Sequence, residues 1–271
     1  VSNHDAMHSR DVVNEVLGET FRIKTLSLTD QTVPTQYDIS AQTVRSWPYG
    51  NRRTPRTTKS RSTYCPFCGT GAPDPKAYAY LLGLYLGDGY IGGIRNGVDY
   101  LSIFCCDTWP GLIEECAATM PKVFPVGVFR VQRRGCTEVK ATSKHWRCIF
   151  PQHGKGMKHS RKIVLKPWQS EIVDEHPEAF VRGLFHSDGC RVSNRVRKQV
   201  RDQWKYYEYP RYFFNNTSQD IVDLLTHALD LLEIPWKSRV APKPPHKDYI
   251  AVSIAQKTAV ARMDAFVGPK Y

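Results

Sequence analysis

Two stretches of the chain are apolar except for small residues four positions apart. Leu81-Leu82-Gly83-Leu84-Tyr85-Leu86-Gly87-Asp88-Gly89 carries Gly83 and Gly87. Val181-Arg182-Gly183-Leu184-Phe185-His186-Ser187-Asp188-Gly189 carries Gly183 and Ser187. On a helix such pairs share a face, so the pattern predicts two helices able to approach almost backbone to backbone. The second lies 100 positions after the first, as expected of two copies of one small domain. After each motif comes a run of alternating, strand-like residues and then a helical stretch. In the first copy these are Leu101–Thr108 and Pro110–Met120; in the second, Arg211–Thr217 and Asp220–Leu232. Thr137–Lys144 then parallels Ile250–Lys257. The alternation predicts half-buried antiparallel strands. Residues 76–174 and 175–271 thus each read as helix, two strands, helix, two strands, helix: an α+β chain with two pseudo-symmetric αββαββα repeats.

Residues 1–55 have a different texture. Three short helices are predicted: Ala6–Leu17, Leu28–Thr35 and Ser40–Trp47, the last with Ser40 as N-cap. Ile39–Trp47 has the form of the turn and recognition helix of a helix-turn-helix, in which Gln42, Thr43 and Arg45 would meet base edges or phosphates. A small structural helical cap is the alternative. Arg52, Arg53 and Arg56 lead into a basic linker, residues 56–75, suited to lie along a DNA backbone. That linker holds Cys65-Pro66-Phe67-Cys68-Gly69, whose spacing suits half of a zinc knuckle. The other half has several candidates, among them Cys105, Cys106, Cys136, Cys148, His153 and His159, and a redox or purely structural role is the alternative.

Charge narrows the partners. The 271 residues carry a net charge of +12, and aromatic residues are interleaved with Arg and Lys. Both features suit double-stranded nucleic acid. No apolar run approaches the ~20 residues of a membrane span, and no secretory signal is visible. The eight cysteines are scattered without a disulfide framework, which points to a reducing, intracellular compartment, the cytoplasm or nucleoid.

The acids narrow the chemistry. Each motif ends in Asp-Gly, with Gly89 or Gly189 expected in a left-handed C-terminal cap. An aspartate there faces the negative end of the helix dipole, a conflict that a cation relieves. Two close-packed helices would set Asp88 and Asp188 side by side, with Gly87 and Ser187 as further candidate ligands. Such a site could hold Mg²⁺ or Mn²⁺ against phosphate oxygens.

The two motifs and the repeat layout resemble the single-chain, two-motif LAGLIDADG homing endonucleases over residues 76–271. The resemblance implies paired motif helices and two four-stranded saddles on the DNA major groove. It implies a monomer with internal pseudo-two-fold symmetry and double-strand cleavage with short 3′ overhangs. Asp88 and Asp188 would be the catalytic metal ligands. Asp107 and Asn216 align with a polar residue near the scissile phosphates, and Lys144 and Lys257 with a lysine. The position two before each terminal acid, often acidic in the family, is Leu86 or His186 here; His186 could instead bond at the helix interface. The basic segment Phe150–His159 has no counterpart in the second half and could bind phosphate or support the site. Arg191–Lys205 would extend a strand pair over the DNA. Candidate DNA contacts are Arg130, Arg133, Arg134, Lys140, Lys155, Lys158, Arg191, Arg195, Arg197, Arg201, Lys205, Lys237 and Arg239. A transcription regulator on the same scaffold and an intron maturase are the competing readings.

Overall fold

The computed structural model describes residues 65, 73–94, 97–242, 244–245, 247–268 and 270. All of them belong to the unit Ser62–Tyr271. The expected helix-turn-helix with Gln42, Thr43 and Arg45, the linker arginines Arg52, Arg53 and Arg56, and Cys68 lie outside the described residues.

The first repeat runs α1 (Pro75–Asp88), β1 (Gly89–Gly93), β2 (Asp99–Cys106), α2 (Pro110–Val123), β3 (Val128–Arg133), β4 (Cys136–Ser143) and α3 (Trp146–Ile149). A connecting helix, α4 (Pro167–Glu175), leads to the second. That repeat is α5 (Pro177–Ser187), β5 (Gly189–Val200), β6 (Gln203–Asn216), α6 (Gln219–Leu231), β7 (Lys237–Ala241), β8 (Tyr249–Ile254) and α7 (Lys257–Phe266). The sheets are antiparallel with the same order, β1-β2-β4-β3 and β5-β6-β8-β7. This is the α+β arrangement of two αββαββα repeats that the sequence predicts. Among the described residues no helix is long and apolar enough to cross a membrane.

The motif helices begin alike. Asp74 accepts from the Ala77 N–H at 2.9 Å, capping α1, and proline opens both helices. Tyr78 through Leu86 of α1 are buried all round, as expected of a helix at the centre of a core. Its partner is α5, and their contact is set by glycine. A methyl group built on Gly183 would stand 2.2 Å from the Tyr80 carbonyl oxygen, and one on Gly83 would stand 2.6 Å from the Phe180 carbonyl oxygen. One turn on, a methyl on Gly87 would meet Ser187 Oγ at 2.1 Å.

The C-terminal glycines do not take the left-handed conformation that Asp-Gly predicts. Gly89 is extended (φ −88°, ψ 150°), and each glycine is the first residue of a strand. Glycine is required there for space. A Cβ on Gly89 would stand 2.5 Å from Tyr85 Cα, and one on Gly189 would stand 2.3 Å from the Phe185 ring. The chain turns straight from helix into strand, so β1 and β5 both start at the carboxylate end of the helix pair.

Each sheet presses one face on the helices. Leu101, Ile103, Val139 and Ala141 are buried on the first; Tyr212, Phe214, Val252 and Ile254 on the second. The strand after Ile250 ends at Ile254, so Lys257 opens α7 instead of closing β8.

Alanine is normally favoured over glycine inside a helix by about 1 kcal/mol. Gly183→Ala should nevertheless lose about 1–3 kcal/mol in urea unfolding, because the added carbon collides with backbone that cannot rotate away. Gly127→Ala, where a Cβ meets nothing within 4 Å, should stay within about 0.5 kcal/mol of the parent. Equal effects at the two sites would disprove the tight helix contact.

Candidate active site and DNA-facing surface

The glycine contact sets the terminal acids against each other. A Cβ on Gly87 would lie 3.2 Å from Asp188 Oδ2, so the second carboxylate rests on the first helix's last turn. Asp88 is open to solvent on one side and Asp188 is half-buried. Burial and then the Asp188 charge raise Asp88 to about 6, against the pull of Lys158 and Lys270. Asp188 is raised too, by burial, with Lys158, the Asn216 amide and Lys270 opposing. Two acids held where each resists ionising make this a candidate functional site.

Two lysines supply the positive charge. Lys158 Nζ donates to the Tyr85 carbonyl and, at 2.7 Å, to the Gly87 carbonyl. Lys270 Nζ donates to the Ser187 carbonyl at 3.2 Å and the Gly189 carbonyl at 2.6 Å. The ends of α1 and α5 thus each receive one ammonium, which relieves the clash between acid and dipole. Burial lowers Lys158 to about 8, although both aspartates work to raise it. Burial lowers Lys270 in the same way.

These are not the lysines that the repeat alignment nominates. Lys144 is exposed beyond the end of β4, and Lys257 is exposed at the first turn of α7. The positive charges acting on the two aspartates come from Lys158 and Lys270. Both ride on segments outside the repeated elements, Lys158 on a short 3-10 turn (Lys158–Ser160), where alignment of strands has nothing to align. Lys158 comes on the basic segment Phe150–His159, which the Asp220 carboxylate ties to α6 just beyond, through the Ile163 N–H at 2.7 Å and Lys162 at 2.6 Å. Lys270 comes on the C-terminal tail. There the Val267 carbonyl accepts from Arg182 Nε at 3.1 Å and lies 2.8 Å from His186 Nε2.

His186 therefore has a definite task at the position two before the acid. A carbonyl only accepts, so Nε2 carries the proton and Nδ1 accepts from the Tyr80 hydroxyl at 2.9 Å. Burial, then Arg182, pull its pKa down to about 4, which keeps the ring neutral. Arg182 adds an ion pair across the repeats, its Nη2 donating to Glu115 at 2.9 Å.

The two aligned polar residues differ. Asn216 donates to Asp188 Oδ2 at 2.9 Å. Asp107 is instead occupied by Thr137 and Gln132, each at 2.8 Å. A cleft beside Asp188 is lined by Gly87, Lys158, Asn216, Thr217 and Tyr249.

The open sheet faces carry unequal charge. On the first, Glu138 is held at about 2: burial works to raise it, but hydrogen bonds from Lys140, Ser102 and Arg133 outweigh that. Arg133 and Lys140 are thereby largely compensated. Arg134 is exposed in the β3–β4 turn, and Lys155 is exposed on the loop. Arg130 lies on the helix side, paired with Glu114 at 2.6 Å.

On the second sheet β5 and β6 form a ribbon of twelve paired positions from Gly189↔Phe214 to Val200↔Gln203. It turns at Arg201 and Asp202, both at positive φ. Alternation sorts its cations. Arg191, Arg195 and Arg197 share the face of buried Tyr212. Arg191 is paired there with Asp264, and Arg195 and Arg197 stack on Tyr206 and Trp204 at 4.6 and 3.9 Å. This places three candidate DNA contacts on the helix side. The open face shows Lys198 directly opposite Lys205, with Arg211 further along. Lys237 and Arg239 pair with Ser253 and Ala251 on β7 and β8, which puts them on the same face. Like charges set opposite each other repel, and an anion relieves them. Sequence reasoning missed Lys270 and Arg211; Lys198 lay inside the arginine-rich insertion, but strand phase was needed to assign its face.

No protein-family model matches the sequence, and no curated protein matches it significantly. Among solved structures, a mesophilic variant of the homing endonuclease I-DmoI aligns at 14% identity with a TM-score of 0.45, over 72% of this chain and 91% of that one. I-DmoI in complex with DNA and calcium aligns at 13% identity with a TM-score of 0.45, over 72% and 91%. The N-terminal LAGLIDADG domain of DUF199/WhiA aligns at 12% identity with a TM-score of 0.43, over 72% and 83%.

The raised Asp88 has a consequence for stability. Its ionised form is disfavoured in the fold, so the penalty is full above about pH 6 and absent once the acid is protonated in both folded and unfolded chains, near pH 4. With chelator present, Asp88→Asn should therefore raise the Tm at pH 7–8, and the gain should shrink to nothing as the pH falls towards 4. A Tm loss at pH 8 would show that the acid is stabilising where it stands.

Proposed function

We propose that the protein is a site-specific, divalent-metal-dependent endonuclease that cuts both strands of duplex DNA. One observation carries this reading: two aspartates from separate repeats are held together at an accessible site where both resist ionisation, with an ammonium at each helix end. A fold selected for stability alone would not keep that pair.

The donor set fits Mg²⁺ or Mn²⁺. Asp88 and Asp188 offer carboxylates, and the Gly87 and Ser187 carbonyls offer further hard oxygens, now accepting from the lysines. When bound, such an ion neutralises phosphate charge and lowers the pKa of attacking water. The chain does the rest. Asn216 steadies the Asp188 carboxylate through Oδ2. Lys158 and Lys270 bring one positive charge to each repeat's acid, placed to counter charge gathering on a phosphate. His186 and Arg182 anchor the tail that carries Lys270.

A binding-only regulator is the second reading, and one observation favours it: the two lysines already compensate the acids with no metal required. The readings separate on incubation with Mg²⁺ and genomic DNA from a close relative that lacks this gene, followed by sequencing of the ends. The endonuclease reading expects one recurrent break with short 3′ overhangs, lost in the Asp88→Asn, Asp188→Asn double variant. Tight Mg²⁺-independent binding without a break supports the regulator.

Duplex binding should also weaken steeply with salt, with a log–log slope near −0.9 per phosphate neutralised. Lys198→Ala with Lys205→Ala should flatten the slope by roughly 1–2. Arg191→Ala should leave the slope alone, since that guanidinium is committed to Asp264. The reverse result would put the DNA on the other face of the ribbon.

A further inference from the structure

Three ligand-type side chains meet at a second place. Cys65 Sγ, a ring nitrogen of His145 and Cys148 Sγ all lie within 4.8 Å of one another. A tetrahedral zinc, with bonds of about 2.3 Å to sulfur and 2.0 Å to nitrogen, sets its ligands roughly 3.5 Å apart. The separations of the three atoms thus exceed ligating ones by at most about 1.3 Å.

The surroundings support a metal. His145 Nδ1 is buried and has no hydrogen-bond partner among the described residues. Buried polar atoms almost always have one, and a cation held by two thiolates would supply it. Cys65 is fully buried, and no described cysteine forms a disulfide. The imidazole is steadied from two sides: its ring packs on Phe124 at 5.6 Å, and its backbone N–H donates to Ser143 Oγ at 3.0 Å. The short helix α3, which follows His145 and contains Cys148, is fixed by Trp146, whose Nε1 donates to the Ala141 carbonyl at 2.9 Å.

The spacing agrees independently. His145-x2-Cys148 repeats the two-residue gap of Cys65-x2-Cys68, the arrangement by which paired residues share one tetrahedral ion. Sequence could not choose among the distant candidates, and His145 was not one of them.

We propose that Cys65, His145 and Cys148 bind a structural zinc ion. It would fasten the segment leading into α1 to the end of the first repeat. The site is remote from the two aspartates: α3 is bonded to α1 at Tyr78, whose hydroxyl donates to the Ile149 carbonyl at 2.7 Å, and Tyr78 lies ~15 Å along the helix from Asp88. Its soft sulfur donors select zinc where the aspartates' hard oxygens suit magnesium.

The test uses the full chain purified under reducing conditions, with metal content measured by mass spectrometry and Co²⁺ exchanged in as a probe. The expected result is about one zinc per chain, kept in the Asp88→Asn, Asp188→Asn double variant. The Co²⁺ form should show thiolate-to-metal charge transfer, and chelation should lower the Tm. Cys148→Ser and His145→Ala should each lose most of the zinc. The Co²⁺ titration of the unaltered protein needs no variant to fold. Unaltered protein with neither zinc nor a thiolate–cobalt band overturns the proposal, as does a Cys65–Cys148 disulfide in that preparation. Zinc retained in both variants overturns the ligand set.

Discussion

The contact between Gly83 and Gly183 is the constraint on which the rest of the molecule depends. With a side chain at either position, α1 and α5 would separate by the width of a methyl group or more. The two C-terminal turns would then no longer hold their acids together. Interiors transmit such strain because they are close-packed. The same contact orients the two sheets, since each first strand springs directly from the end of its motif helix. The glycines at positions 83, 87 and 183 and the small Ser187 set the geometry that holds Asp88 and Asp188 together.

Bringing two carboxylates to two helix C-termini concentrates negative charge from four sources: two acids and two dipole ends. The chain answers with two lysines, but delivers them by unrelated routes. One arrives on the loop between the repeats and the other on the C-terminal tail. That asymmetry gives His186 a structural task at the tail. Its neutral ring, locked as the Nε2–H tautomer, pins the tail at Val267 and so fixes where Lys270 can stand. An acid at that position could not donate to a carbonyl. The inequality continues in Asn216, which touches Asp188, and Asp107, which does not touch Asp88. Internal symmetry of fold here carries a candidate site whose two halves differ.

Much of this was legible in the sequence, for a physical reason. Small residues at i and i+4 in an apolar run have few explanations besides a tight helix pair, and an Asp-Gly repeated in that context points to one shared site. Strand existence followed from alternation. What was not legible depended on three-dimensional routes. Lys158 and Lys270 sit outside the regular elements, so repeat alignment chose Lys144 and Lys257 by register and missed the lysines beside the acids. Gly89 and Gly189 looked like left-handed caps, because Asp-Gly commonly is one; their real requirement is room beside Tyr85 and Phe185. Cation-rich strands were read as DNA-facing throughout. A one-residue change of phase exchanges the two faces of a strand, so Arg191, Arg195 and Arg197 fell on the side away from Lys198 and Lys205.

The charge on the two open faces argues for how duplex DNA would be shared between the repeats. Arg133 and Lys140 are held by Glu138, so the first sheet offers polar groups whose positions are fixed in advance and whose net charge is small. The second offers Lys198, Lys205, Arg211, Lys237 and Arg239 with no comparable acid among their described partners. Phosphate attraction is long-ranged and indifferent to sequence, whereas held polar groups discriminate by geometry. On the proposed function, the second repeat would capture the duplex and the first would test its register. That division agrees with where the chain invests its extra length: the long β5–β6 ribbon extends the strongly charged face, and the short β3–β4 hairpin leaves the compensated face compact.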